Sequence, residues 1–458
     1  WFFDVLPHVV RSYTAERALK KIYFIDGSKF AIFVARFTSL IAGCKFEQLT
    51  FRMTDIRDES GTLLYLKIIY RDLADFQEKV IANPLFQSML QEKAVKNRMS
   101  TFLAKQVGMA GSHGSHNCTI QRALFLIQLV IWVAKGDGKG DKNIVLFMGR
   151  RPWWREVQGH ASQHGVQVVL AHGENAFYLD ILLTRLKSVL PPVVKSAPKG
   201  LVIAWRTFRL APLTYLIHPF RSSRRDLVAV NRPEQFPPPS TDPPQTSSPQ
   251  PADLSGGLKP KLAVEYYGHF NLDCPELHSD LFFWQQSALC GKHVLITFGL
   301  AGDPLDETKW SEIVKHRMTA VALRPQASTI PFVPVFDPWI QKVEWPEELE
   351  SRYVGYEGAL LKLQVSSYYK SHRYWTDFFN AYEVKLYVSW FKYDATHCVI
   401  ADALQNLGGV TAIYQRSFEG FPSPNVTVAA DVVFGFSQEG ADVERGSNSI
   451  IPYYVTTG

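Results

Sequence analysis

The sequence predicts an α/β protein of Rossmann-like layout, with mainly parallel sheets and flanking helices. Three observations carry that prediction. The apolar run Val384 to Trp390 leads into Trp390 to Arg416, WFKYDATHCVIADALQNLGGVTAIYQR, and together they read as strand, loop, helix, turn and strand. Within that stretch Val399, Ile400, Ala403 and Leu407 keep the three-four spacing of one helical face, Gly408 and Gly409 stop the helix, and Val410 to Tyr414 is β-branched and aromatic. Asn143 to Ala171 has the same order: IVLFM as a buried strand, GRRPWW as a loop, REVQGHASQHG as a helix ended by Gly165, and VQVVLA as a strand. Further short strands recur at Leu262 to Tyr266, His293 to Phe298, Thr319 to Leu323 and Asp431 to Phe436, with helical stretches between most of them.

At the front of the chain, Lys21 to Asp26 (KIYFID) reads as a strand and Ser28 to Leu40 as the helix after it. Phe46 to Ile56 and Thr62 to Tyr70 read as two strands of a hairpin, with Asp58 to Gly61 as its turn. The apolar run Ala123 to Ala134 is a buried helix, because a membrane span needs about 20 apolar residues and this run is shorter.

A chain of 458 residues with 46% hydrophobic content can form two or three domains with full cores. The expected division is an N-terminal α/β region (1–177), a basic amphipathic segment (178–231), a Pro/Ser-rich disordered linker (232–261), a second α/β domain (262–430) and the start of a truncated C-terminal domain (431–458). The linker, RPEQFPPPSTDPPQTSSPQPADLSGGLKPK, has too few apolar residues to build a core. The chain starts at Trp1 without methionine and stops after the strand-like IIPYYVTT, so both ends read as cut from a longer protein. A net charge of +6, from 49 basic and 43 acidic residues, argues against a nucleic-acid partner. The 5 cysteines show no CxxC or Cys/His spacing, so no metal site is expected and the thiols read as free in a reducing, cytoplasmic compartment.

The carboxyl ends of parallel strands are where ligands collect, which directs attention to Asp394 and His397 after one strand and to Gln415 and Arg416 after the next. Asp394 and His397 are the minimum for general-base chemistry on a hydroxyl, although Asp394 also suits the N-cap of the helix that follows. Asp402 reads as a solvated helix-face residue. The loop AVEYYGHFNLDCPELHSDLFFW offers Glu265, His269, Asp273, Asp280 and Trp284, carboxylates and aromatic faces of the kind that hold sugar hydroxyls; a capped helix entrance is the rival reading. Arg150 and Arg151 could grip a phosphate or carboxylate and Trp153 could stack on a sugar, or the tryptophan could pack in the core with the arginines in solvent. Between Arg185 and Arg225, basic residues alternate with apolar runs, which fits either an interfacial segment on an anionic membrane or a solvated basic helix.

From Lys261 to Gly458 the chain resembles bacterial glycosyltransferases of the GT-B architecture that build surface carbohydrates. The residues that carry the resemblance are AVEYYGHFNLDCPELHSDLFFW, YDATHCVIADALQNLGGVTAIYQRSFEGFPSPN and AADVVFGFSQEGADVERGSNSIIPYYVTTG. Where such enzymes carry glycine and histidine after the equivalent of Gln415, this chain has Arg416 and Ser417. The resemblance implies a nucleotide-sugar donor as co-substrate, no tightly bound cofactor, and a surface-glycan or lipid-linked acceptor at the inner face of the plasma membrane. It also implies a nucleotide-binding domain opening near Asp431. In that frame Asp394 or His397 is the base, and Arg416 with the Gly408–Gly409 turn faces the leaving diphosphate. Two other functions fit the same residues: a non-catalytic scaffold binding glycans or nucleotides at the membrane, and a phosphoglycerol-type transferase.

Overall fold

The computed structural model describes residues 21–24, 29–42, 45–49, 56–58, 60–93, 95, 98–108, 120–136, 144–170, 261–273, 279–299, 302–338, 352–390, 395–415 and 420–457. The expected basic segment and almost all of the linker lie outside them. In the front part, β1 (Lys21–Phe24) and β2 (Lys45–Gln48) pair in parallel across α1 (Lys29–Ala42). The Asp58 to Gly61 turn forms, its Asp58 Oδ1 accepting from the amides of Ser60 and Thr62. Among the described residues it closes one antiparallel bridge, Arg57 to Leu63, and residues 50–55 of the expected first strand lie outside them.

Thr62 to Tyr70 is the first correction. Leu64–Lys67 is helical, Ile68–Asp72 is a π-helical segment, and α2 (Leu73–Ile81) continues it. Leu64, Ile68, Leu73, Phe76 and Val80 are all buried, so the run buries a helical face, and this packing overrides the strand propensity of its β-branched residues. Next come α3 (Pro84–Leu90), α4 (Arg98–Gly108) and α5 (Ile120–Gly136), the last being the helix expected from the apolar run. β3 (Ile144–Met148), α6 (Trp154–Gln163) and β4 (Val166–Leu170) form the expected βαβ unit, with β3 and β4 parallel.

The buried face of α6 carries His160, which is 5% exposed. Burial pushes this imidazole down to about 4, with His164 and Lys79 adding to the effect. The unfolded chain binds a proton below about pH 6.5 while the folded chain refuses it. Stability is therefore expected to hold above pH 6.5 and to fall by up to about 3 kcal/mol as pH drops from there toward 4. Denaturant melts across this window should show the loss in the native chain and a smaller one in His160→Gln; equal slopes would refute the assignment.

The second part of the chain builds a seven-stranded, wholly parallel sheet. Its elements are β5 (Lys261–Glu265), β6 (Val294–Phe298), α7 (Glu307–Lys315), β7 (Thr319–Ala322), α8 (Gly355–Tyr382) and β8 (Val384–Ser389), then α9 (Thr396–Gln405), β9 (Val410–Tyr414), β10 (Val432–Gly435), α10 (Gln438–Gly446) and β11 (Tyr453–Thr456). The spatial order is β11-β10-β9-β8-β5-β6-β7. The chain starts in the middle, adds β6 and β7 on one side, then crosses to β8 and builds outward on the other. This is the doubly wound plan, with its order reversing between β5 and β8.

Alternate strand residues feed two cores. Ala263, Leu295, Val321 and Tyr387 point into one; Leu262, Val264, Ile296, Ala320 and Ala322 point into the other. The first core is shared with Phe76, Phe86, Phe102 and Leu124 of the front helices, and α9 packs on both α4 and α8. Two domain expectations change as a result. The described front residues and the residues from 261 on belong to one compact unit. Residues 431–458 extend the existing sheet, β10 pairing with β9 and β11 with β10, and do not open a second one.

Candidate functional site

Strand order reverses between β5 and β8, and the space beyond the carboxyl ends at such a point, here termed the crevice, is where parallel sheets gather ligands. Each strand end contributes an aromatic residue. Tyr267 follows β5, Trp390 follows β8, and their rings meet edge to face with centroids 4.0 Å apart. Glu265 is the last residue of β5 and is buried, and the exposed His269 lies four residues on. Gly302 brings the loop after β6 against this wall. Its φ is +80°, and a Cβ there would lie 2.6 Å from the Tyr267 carbonyl oxygen, so only glycine fits.

Asp280 shapes the wall. Fully buried, it accepts through Oδ2 from the amides of Tyr267 (2.8 Å), Gly268 (3.1 Å) and His269 (3.1 Å), and through Oδ1 from the Tyr414 hydroxyl (2.9 Å). The expectation that Asp280 binds substrate is corrected: its lone pairs are spent on holding the loop after β5 to the end of β9. Gln415 has a similar task at the next strand end. Its Oε1 accepts from the Phe436 amide (3.1 Å) and the Tyr454 hydroxyl (3.3 Å), bracing the turn that leads into α10.

Other expected site residues lie elsewhere. Helix α9 runs back from the carboxyl edge, so Gly408 and Gly409, which precede β9, sit at the amino edge, away from the carboxyl ends of the strands. Gly408 has φ +70°, and the amides of both glycines close the helix end by bonding the carbonyls of Gln405 and Leu404. Trp284 packs edge-on against His316, whose turn enters β7 from its amino end. Asp273 is nearby, paired with Lys315 (2.6 Å) and His316 (2.8 Å). Trp153 is 2% exposed and meets Phe86 in the core. Arg150 lies over the Tyr356 ring (4.8 Å) and 3.9 Å from Glu357, both in the first turn of α8. Arg151 is buried beside Trp153 in sequence. These three residues belong to the front βαβ unit, where large apolar area and cation-π contact favour packing over an open sugar platform.

His397 does stand in the first turn of α9, but it is buried and its Nε2 accepts from the Ala429 amide (3.3 Å). That bond places the proton on Nδ1 and occupies the lone pair a base would use. Asp394 and Arg416 lie outside the described residues. Asp402 departs from the solvated-face expectation: it accepts from the Tyr368 hydroxyl and lies 3.8 Å from Arg98.

The structure thus brings Glu265, His269, Asp280 and Gln415 to one edge and sends Arg150, Arg151, Trp153, Trp284, Gly408 and Gly409 away from it. Tyr267, Trp390 and Tyr414 belong to the edge without having been singled out as ligand-facing. The signal for them was available, since each ends or directly follows a predicted strand. Among the described residues, no group of His, Cys, Asp or Glu is arranged to hold a metal ion, and no helix is long and apolar enough to cross a membrane. Cys290 and Cys398 are free thiols. No family model, curated protein or solved structure matches the chain.

Proposed function

We propose that the crevice beyond β5 and β8 binds a nucleotide-activated sugar and that the chain transfers the sugar to a surface-glycan or lipid-linked acceptor, as a GT-B glycosyltransferase does. The observation that carries the reading is the Tyr267–Trp390 aromatic pair at the point where strand order reverses. A parallel sheet offers its ligand site there, and a nucleobase stacks on such a ring. The resemblance of residues 261–458 supplies the reaction class. With His397 bonded to Ala429, Asp394 is the base in this reading, and Arg416 balances the leaving diphosphate. Trp390→Ala is expected to weaken nucleotide-sugar binding about tenfold, because base stacking on an aromatic ring contributes about 1–3 kcal/mol. Titrating uridine and cytidine diphosphate sugars against both proteins measures it; unchanged affinity would remove the crevice as the donor site.

A binding-only scaffold is favoured by one observation, the engagement of His397 Nε2 with a backbone amide. Asp394→Ala separates the two readings. Loss of a general base is expected to slow transfer about 100-fold or more with donor affinity preserved. Binding without any transfer by the native chain would leave the scaffold.

A further inference from the structure

A second concavity lies far along the chain from the crevice residues, where the π-helical segment, α2, α5 and α6 converge. It has a volume of about 470 Å³, within the range of small-molecule sites. Its lining holds the cations Arg71, Lys79 and Lys135 and the carboxylates Asp72 and Asp75, together with Gln128, Gln163, His160 and His164. The wall is organised. Gln128 donates to Asp72 Oδ2 (3.0 Å), and Lys79 donates to Gln163 Oε1 (3.0 Å), which ties α2 to α6. Arg71 and Asp72 lie in the π-helical turn, a distortion that recurs at functional sites because it re-aims side chains.

His160 is the observation that points to a ligand. It lines the cavity, it is 5% exposed, and its Nε2 has no hydrogen-bond partner among the described residues. A buried ring nitrogen without a partner costs free energy that a ligand group can recover. The imidazole is neutral and small enough to meet a hydroxyl. Around it the polar residues divide by chemistry: Arg71, Lys79 and Lys135 suit a phosphate, while Asp75, Gln163 and His160 suit hydroxyl groups. Ile131 is the lone apolar side chain in the lining, which disfavours a nucleobase or an acyl chain.

We infer that this cavity is a binding site for a small sugar phosphate, separate from the crevice and independent of the transferase reading. Glucose 6-phosphate, inorganic phosphate and glucose are the probes, titrated calorimetrically against the full chain and against the doubly substituted Arg71→Gln, Lys135→Gln protein. Both substituted residues are exposed, so the fold is expected to persist. The native chain should bind glucose 6-phosphate saturably, bind inorganic phosphate at least tenfold more weakly, and ignore glucose. The double variant should lose at least tenfold in affinity. In the native chain, labelled with ¹⁵N-histidine, the His160 ring resonance should move on addition of glucose 6-phosphate, a readout that needs no variant. Absence of saturable binding, equal affinity for phosphate and glucose 6-phosphate, binding undiminished in the double variant, or an unmoved His160 signal at saturation would each overturn the assignment.

Discussion

Asp280→Ala is expected to lower the free energy of unfolding by about 3–5 kcal/mol and to abolish the donor binding proposed for the crevice. The alanine would leave the part-buried amides of Tyr267, Gly268 and His269 without their acceptor, together with the buried hydroxyl of Tyr414. Each is a donor whose desolvation is offset in the native chain by one carboxylate. Asp280→Asn isolates charge from geometry, since an amide oxygen can still accept from the three backbone groups. Its expected loss is smaller, about 1–2 kcal/mol, and Tyr414→Phe should lose about 1 kcal/mol. Equilibrium denaturant unfolding of the three variants measures the series. A loss below about 1 kcal/mol for Asp280→Ala would show that the loop after β5 is held by other contacts.

The same residue shows where sequence reasoning reached and where it stopped. Periodicity located β5 through β10 to within a residue or two, because a strand buried in a parallel sheet is a short unbroken apolar run whatever surrounds it. It located the carboxyl edge as well, since strand direction follows from chain order. What it missed was which polar residues are consumed by the fold. Asp280 lies 15 residues beyond the end of β5, and its bonding partners include Tyr414, 134 positions away. No local pattern encodes that meeting. The choice between stacking and packing for Trp153 stayed open for the same reason, its burial depending on Phe86 in another helix. The Gly408–Gly409 turn was legible as a helix end, and helix direction alone would have placed it at the amino edge. The 28-residue α8 escaped because its buried face mixes Gln364 and Tyr368 with Leu361, Val365, Trp375 and Phe379, which blurs the apolar period.

Arg98→Met is expected to be as damaging, by about 3–5 kcal/mol, for a different reason. Arg98, 3% exposed at the start of α4, donates to Asp431 Oδ1 (2.7 Å) and lies 3.8 Å from Asp402. Asp431 also accepts from the amide and hydroxyl of Thr411, and Tyr368 donates to Asp402. One guanidinium therefore joins the front helices, α8, α9 and the sheet. Lys105, a further buried cation of α4, adds bonds to the carbonyls of Asn425 (2.5 Å) and Thr427 (2.9 Å) on the same segment. Methionine keeps much of the packing volume but leaves two carboxylates without their cation, and an unpaired buried charge costs more than the pair contributes. The double variant Arg98→Met, Asp431→Asn should recover part of the loss, giving a coupling energy of about 1–3 kcal/mol in a double-mutant cycle. Acidity supplies an independent check. Burial already holds the Asp402 carboxyl above the usual carboxylate range, and removing Arg98 takes away a charge that favours its ionised form. The deficit of the variant relative to the native chain should then shrink as pH is lowered from 7 toward 5, because protonating Asp402 relieves the uncompensated charge. A deficit that stays constant over that range would mean that Arg98 acts through its packing alone.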